Sequence, residues 1–263
     1  MTTDNQAFRA LFTLPPLPLS SSTALTVPET PAPKTVTGDR ELDAILWLRD
    51  CIETGHQALI TPALEAFKRV TTPAKELNDR YCAWLRATSG DNPFAVIFGG
   101  FGFADLEGLA KDSIKSKARR DEAMARFGTE EELFKLTPAE DLCKKALRGL
   151  KRSKDWDEYD AEAAEERFAK RPVLVPHTLS DCLHEQDYWD SLYWLRNEID
   201  MYASDADPAA RAHDDYCFAM LTKIAPRSKE EALQVYQHLK DKDGLNRMEA
   251  PDILRNLISG GWQ

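Results

Sequence analysis

The sequence lacks the short motifs that most often identify an enzyme or a cofactor site. It contains no glycine-rich nucleotide loop of the GxGxxG or GxxxxGK[ST] type, no HExxH pair, and no nucleophile in a G-x-S-x-G-like context. We therefore expect no cofactor and assign no catalytic residue. An enzyme with groups that converge only in space is not excluded by this pattern.

Cysteine is scarce and unpaired. The five cysteines are scattered singly, without a CxxC pair or a spacing typical of zinc ligands or a disulfide framework. Each falls within a stretch of helical periodicity, mostly near apolar neighbours. We interpret them as small buried hydrophobic residues in a reducing compartment.

Long apolar runs are also missing. Nothing approaches the ~18 uninterrupted apolar residues that a membrane-spanning helix needs. No basic region followed by an apolar core marks a signal peptide, so we expect a cytoplasmic protein. The net charge of −10 argues against a general attraction to nucleic acid or anionic lipid.

What the sequence does contain is helical periodicity. Its 263 residues are 43% hydrophobic, which is enough for a core. Apolar residues recur at helical spacing, and Thr137-Pro138, Asp207-Pro208 and Ser228 look like helix starts. We predict an all-α, multi-helix bundle with a disordered, proline-rich N-terminal tail.

Composition divides the chain into four segments. We predict a disordered tail over 1–38, an N-terminal helical bundle with a Phe/Gly-rich segment over 39–106, a charged helical region over 107–171 and a C-terminal helical unit over 172–263. Arg171-Pro172 to Pro176 is extended by its prolines and marks the last boundary.

The tail carries one apolar cluster. Residues 1–38 hold six of the fifteen prolines and few charges, a composition typical of disorder. Within them, Phe8, Leu11, Phe12 and Leu14 could form a short motif that binds a partner protein. The alternatives are a segment that folds back onto the protein's own surface and an inert tail.

The Phe/Gly-rich segment, residues 93–103, is the most hydrophobic stretch. It contains four phenylalanines and three glycines and no charge. Close packing in the interior would explain it, as would an exposed loop that dips into a membrane or contacts a partner through Phe98, Phe101 and Phe103.

Two opposed charge runs follow. The basic run, which contains no acid, consists of Lys144, Lys145, Arg148, Lys151, Arg152 and Lys154. An acidic run lies directly after it, and we predict solvated helices over 138–152 and 156–170. A nucleic-acid site on the basic run, or on C-terminal helices carrying Arg247, Arg255 and Asn256, is the alternative.

Two groups of potential metal ligands occur, and neither has a recognisable spacing. The first consists of His177, Asp181, Cys182, His184, Glu185 and Asp187, and the second of His213-Asp214-Asp215. Polar residues in the first turns of an exposed helix explain the first group. The second contains a His-Asp dipeptide, which often arises by chance, and the other histidines show no matching pattern, so we assign no metal site.

These features favour a non-catalytic, intracellular interaction or regulatory protein that acts by binding another protein. An accessory or inhibitory factor of the kind that mobile genetic elements encode would fit. A nucleic-acid-associated regulator and a helical metal-dependent enzyme are the alternatives.

Overall fold

The computed structural model describes residues 3–18, 28–90, 92, 94, 100, 102–154 and 157–260. Over these residues the protein is helical and has no β-strand, apart from one isolated antiparallel bridge between Arg152 and Tyr159. The all-α fold class predicted from the sequence is therefore confirmed. Within the same residues, no helix combines the length and the hydrophobicity that crossing a bilayer requires.

The helices of the described residues have the following bounds. They are α1 (Gln6–Leu11), α2 (Arg40–Glu53), α3 (Gln57–Phe67), α4 (Ala74–Thr88), α5 (Leu106–Phe127), α6 (Glu130–Phe134), α7 (Pro138–Ala146), α8 (Ala161–Ala169), α9 (Leu179–Asn197), α10 (Pro208–Met220), α11 (Lys229–Asp241) and α12 (Ala250–Ser259). Two short 3₁₀ turns cover Pro172–Leu174 and Gly244–Asn246.

The chain divides into two compact units. The first unit combines Met1–Leu17 with Ala123–Gln263, and the second unit is Pro18–Glu122. This division differs from the segments inferred from composition, because the charged region 107–171 contributes to both units and residue 171 is not a boundary. Composition reports local polarity, whereas the units are defined by contacts between distant parts of the chain.

In the second unit, α2 packs against α3. The Asp39 side chain caps α2 by accepting hydrogen bonds from the Glu41 and Leu42 amides. Phe103 is buried and stacks on Tyr81 with ring centres 4.0 Å apart. Phe103 is therefore packed in the core of this unit, while Phe98 and Phe101 lie outside the described residues.

In the first unit, α10 packs against α7, α8 and α9. Three predicted helix starts are confirmed by their caps: Thr137 forms a reciprocal capping box with Glu140, Asp207 accepts from the Ala209 amide, and Ser228 accepts from the Glu231 amide.

The N-terminal segment belongs to the core of the first unit. The Asn5 side chain caps α1, and Phe8 and Phe12 are 0% and 1% exposed. Leu11 and Leu14 are half-buried against the same core. The prediction of disorder is thus wrong for α1. The structure instead agrees with the alternative in which this segment folds back onto the protein's own surface.

The buried carboxylate of Asp181 anchors this segment. It accepts hydrogen bonds from the Asn5 amide at 3.0 Å and from the Arg9 guanidinium at 2.7 Å, and another from the His177 amide. Burial alone would raise the pKa of Asp181, but these hydrogen bonds outweigh it and lower that pKa.

The basic run does not form one helical face. The predicted helix over 138–152 ends at Ala146, and Gly149 adopts a left-handed φ of 88° that an ordinary helix cannot contain. Lys144 pairs with Asp207, Lys145 with Asp141 and Arg152 with Asp157. These contacts weaken the case for a nucleic-acid surface along the run.

Candidate functional site

A cavity of about 330 Å³ opens in the first unit, lined mainly by residues of α9, α10 and α11. Its apolar wall includes Trp189, Tyr193 and Phe218. Its polar wall consists of Gln186, Asp190, Asp214, His238, Lys242 and Arg247. A pocket with aromatic walls and a few converging polar groups is the usual form of a ligand site.

Most charges on the cavity wall are already paired. Lys242 Nζ lies 2.6 Å from an Asp190 oxygen, and Arg247 pairs with Asp215 at 2.7 Å. The Arg247 guanidinium also lies 3.8 Å from the centre of the Phe218 ring, as in a cation–π contact. Because Lys242 and Arg247 are paired with carboxylates of the protein, a ligand in the cavity would contact the other polar groups of its wall.

Two polar groups of the wall have no partner. Within the described part of the chain, Asp214 makes no hydrogen bond or ion pair, and the buried Gln186 Oε1 accepts no hydrogen bond. Burial, and next the negative charge of Glu185, raise the pKa of Asp214 well above its ordinary value. The cavity thus offers a carboxyl without a protein partner, and the amide oxygen of Gln186 is buried within its wall.

Glu185 and His213 form a buried pair behind the cavity wall. Both are 0% exposed, and His213 Nδ1 lies 2.7 Å from Glu185 Oε1. The indole of Trp189, one turn after Glu185 on α9, donates a hydrogen bond to the same oxygen. Trp189 therefore separates the cavity from this pair while contacting both.

Cys217 completes the buried group. It lies one turn after His213 on α10, and its Sγ is 3.8 Å from His213 Nδ1. Glu185 and Cys217 both face the same ring nitrogen, so they cannot form a relay in which one nitrogen is oriented and the other activates a thiol. Burial, and next the charge of Glu185, raise the pKa of the Cys217 thiol. This arrangement does not suit a nucleophile.

The sequence-predicted partner residues lie elsewhere. Phe8 and Phe12 are packed around the His213 ring, with Phe12 stacked on it at 5.0 Å between ring centres. Together with the buried Phe103, they are enclosed within their own units and offer no surface to a partner in this conformation. Their apolar rings contribute to the hydrophobic cores of the two units.

The first group of potential ligands is dispersed. Asp181 holds the N-terminal segment, and the His184 ring contacts the carbonyl oxygen of Arg9. Glu185 instead faces His213, a member of the second group. Cys182 is buried in the core, as expected of a small hydrophobic residue, and so are Cys51, Cys143 and Cys217.

Sequence reasoning missed most residues of the cavity. Trp189, Asp214 and Lys242 belong to three different helices or their ends, and no fixed spacing joins them. The one usable signal was the i, i+4 spacing of Glu185 with Trp189 and of His213 with Cys217, which places each pair on one helix face.

Comparisons with known proteins add no functional information, since no protein-family model, curated protein or solved structure matches this chain.

Proposed function

We propose that the protein is a non-catalytic binding protein and that the cavity of its first unit receives a basic side chain of a partner protein. The observation that carries this proposal is the Asp214 carboxyl, which has no partner among the described residues and lines an aromatic-walled cavity. An arginine or lysine side chain supplies the donors that this carboxyl lacks, and its stem contacts the aromatic wall.

The charge of the first unit supports a basic partner. This unit contains 29 of the 44 acidic and 21 of the 34 basic residues, so it carries eight of the ten excess negative charges. Such an excess attracts a positively charged partner and raises the rate of association, more so at low salt.

A binding role fits the chemistry better than catalysis does. The cavity wall presents no activated nucleophile, because the neighbouring thiol is buried and its pKa is raised. Exposed apolar side chains flank the cavity residues in sequence, among them Met248 at 93% exposed beside Arg247. Such side chains favour a protein partner over a small free ligand.

A peptide series tests the proposal directly. Acetylated, amidated pentapeptides with Arg, Lys, Leu or Glu at the centre of four glycines are titrated, and the Trp189 and Asp214 signals are followed by NMR. We expect Arg and Lys peptides to shift these signals and Glu peptides to leave them unchanged. Equal shifts for all four peptides would contradict the proposal.

A cavity-blocking variant serves as the matched test. Ala206 is half-buried on the cavity wall, and Ala203 is exposed in the preceding turn. Ala206→Phe should abolish the shifts, whereas Ala203→Phe should preserve them. Loss of binding in both variants would place the binding surface outside the cavity.

A further inference from the structure

Three different metal-binding side chains meet in the core of the first unit. They are Glu185 of α9 and His213 and Cys217 of α10, and all three are fully buried. One ligand atom from each lies within 4.8 Å of the others. Carboxylate, imidazole and thiolate are all ligands of zinc in proteins.

Both ring nitrogens of His213 face an oxygen atom that can accept a hydrogen bond. Nε2 lies 3.0 Å from the carbonyl oxygen of Leu174, which can only accept, so Nε2 carries a proton. In the neutral ring, the lone pair of Nδ1 then faces Glu185 Oε1 at 2.7 Å. Two acceptor atoms at this distance require a cation between them, either a proton or a metal ion.

A backbone carbonyl that holds the second ring nitrogen is also how metal-bound histidines are oriented. The hydrogen bond fixes the tautomer and directs the free lone pair at the metal. Leu174 fills this role for His213 because its 3₁₀ turn, Pro172–Leu174, brings the carbonyl to α10. The ring is therefore preoriented towards Glu185 and Cys217.

The second oxygen of Glu185 is a further acceptor without a partner. Oε2 is buried and has no hydrogen-bond partner in the described part of the chain. In the same residues, the only ion pair of Glu185 is with His213, and no lysine or arginine approaches it. A buried carboxylate oxygen without a partner is unfavourable, and a cation bound there would remove that cost.

We propose that Glu185, His213 and Cys217 bind a structural zinc ion in the core of the first unit. Cys217 Sγ, His213 Nδ1 and the two oxygens of Glu185 provide four donor atoms, the number usual for zinc. The separation of Nδ1 and Oε1 must open by about half an ångström, because ligands at about 2.0–2.1 Å from zinc lie further apart than a hydrogen-bonded pair.

The charge balance of this exchange is favourable. Zinc displaces the proton held between His213 and Glu185 and the proton of the Cys217 thiol, and both protons leave to solvent. One divalent cation thus replaces two protons, and the net charge of the buried group does not change. This matters because an uncompensated charge in such a core would be strongly unfavourable.

The zinc would lie beneath the N-terminal segment. Phe8, Phe12 and Phe168 surround the His213 ring, and none of the three is exposed by more than 1%. The three ligands are fully buried among the described residues, so we expect metal to enter during folding. This also separates the inference from the proposed binding function, which uses the far side of Trp189.

The test loads the full chain with metal during refolding. The protein is unfolded in denaturant with a chelator, refolded with a small excess of Zn²⁺ or Co²⁺, and freed of loose metal by gel filtration. We expect one metal ion per chain by elemental analysis, and for Co²⁺ the near-ultraviolet absorption band of a thiolate ligand. A refolded chain that retains no stoichiometric metal overturns the proposal.

Two serine variants identify the thiol. Cys217→Ser should remove the thiolate band and weaken metal binding at least about tenfold, whereas Cys182→Ser, at another buried cysteine of the same core, should change neither. The reverse pattern would refute this ligand set. Should Cys217→Ser fail to fold, Glu185→Gln is the second variant, and metal retained at full stoichiometry there would equally contradict the proposal.

Discussion

Replacing Phe12 with alanine tests whether the N-terminal segment is part of the core. Phe12 is 1% exposed and contacts the rings of Tyr188, Trp189 and His213. A disordered tail would tolerate this substitution. A core residue would not.

The magnitude follows from burial. A phenylalanine buries about 150–250 Å². At about 25 cal/mol per Å² this corresponds to roughly 4–6 kcal/mol, which is an upper value because unfolded chains are already partly compact. Alanine retains part of this area, while the cavity left between the rings adds a further penalty. We expect Phe12→Ala to lower the free energy of unfolding of the first unit by about 3–5 kcal/mol.

The assay is urea unfolding followed by circular dichroism at 222 nm, with hydrogen exchange in α9 and α10 assigning the transition to the first unit. Leu17→Ala is the matched control, since Leu17 is 51% exposed, and its effect should stay within about 0.5 kcal/mol. If Phe12→Ala costs no more than the control, the segment is not docked, and the interpretation of Phe8 and Phe12 as partner-binding residues returns.

Three further predictions concern other groups. The pKa of Asp214 is raised in the folded protein, so the contribution of this group to stability falls as pH rises above its unfolded pKa near 3.8. Asp214→Asn should therefore raise the free energy of unfolding at pH 7 but not near pH 3. Equal effects of the substitution at the two pH values would contradict this. Arg196→Met should cost about 3–5 kcal/mol in thermal or urea unfolding, because it leaves the Glu140 carboxylate buried without its partner at 2.6 Å, and Glu140→Gln in the same chain should recover part of that loss. Cys82 is the one cysteine that is not fully buried, so native thiol titration should show one fast-reacting group, and two or more would be inconsistent with the structure.

The helix pattern could be predicted because caps and periodicity are local. Thr137-Pro138 is a helix start in the structure, as the sequence indicates. Local signals are ambiguous where two candidate caps lie close together: Thr178 caps α9, whereas the hydroxyl of Ser180, two residues later, accepts a hydrogen bond from Arg9. Only the distant contact distinguishes the two candidates.

The docking of the N-terminal segment was only an alternative in the sequence analysis, because composition was averaged over too long a window. The prolines that suggest disorder start at Pro15, whereas α1 ends at Leu11. The residue that anchors α1 is Asp181, which lies 176 positions from Asn5 and 172 from Arg9 in the chain. No local pattern encodes such contacts, although two phenylalanines at i, i+4 spacing were a signal of a buried helix face.

Glu185 and His213 were assigned to two different groups of potential metal ligands because no local pattern shows that they are in contact. Glu185 and His213 are 28 positions apart, and each appeared among polar neighbours that solvent exposure could explain. Their convergence depends on the packing of α10 against α9, which the periodic apolar residues fix only approximately. The sequence therefore identifies Glu185 and His213 as potential metal ligands, but it does not show that the two side chains are in contact.

The distribution of unfavourable groups within the first unit supports a functional interpretation of this region. The buried Asp181 and the buried Arg196–Glu140 pair are well satisfied, with hydrogen bonds from backbone and side-chain donors. By contrast, within the described residues Asp214 makes no hydrogen bond or ion pair and Glu185 Oε2 is buried without a partner. Asp214 lines the cavity together with Trp189, whose indole donates to the other oxygen of Glu185. Apolar or amide residues at these positions would make a more stable fold. Groups that destabilise a folded chain concentrate where they serve binding, which agrees with the proposed roles of Asp214 towards a basic side chain and of Glu185 towards a metal ion.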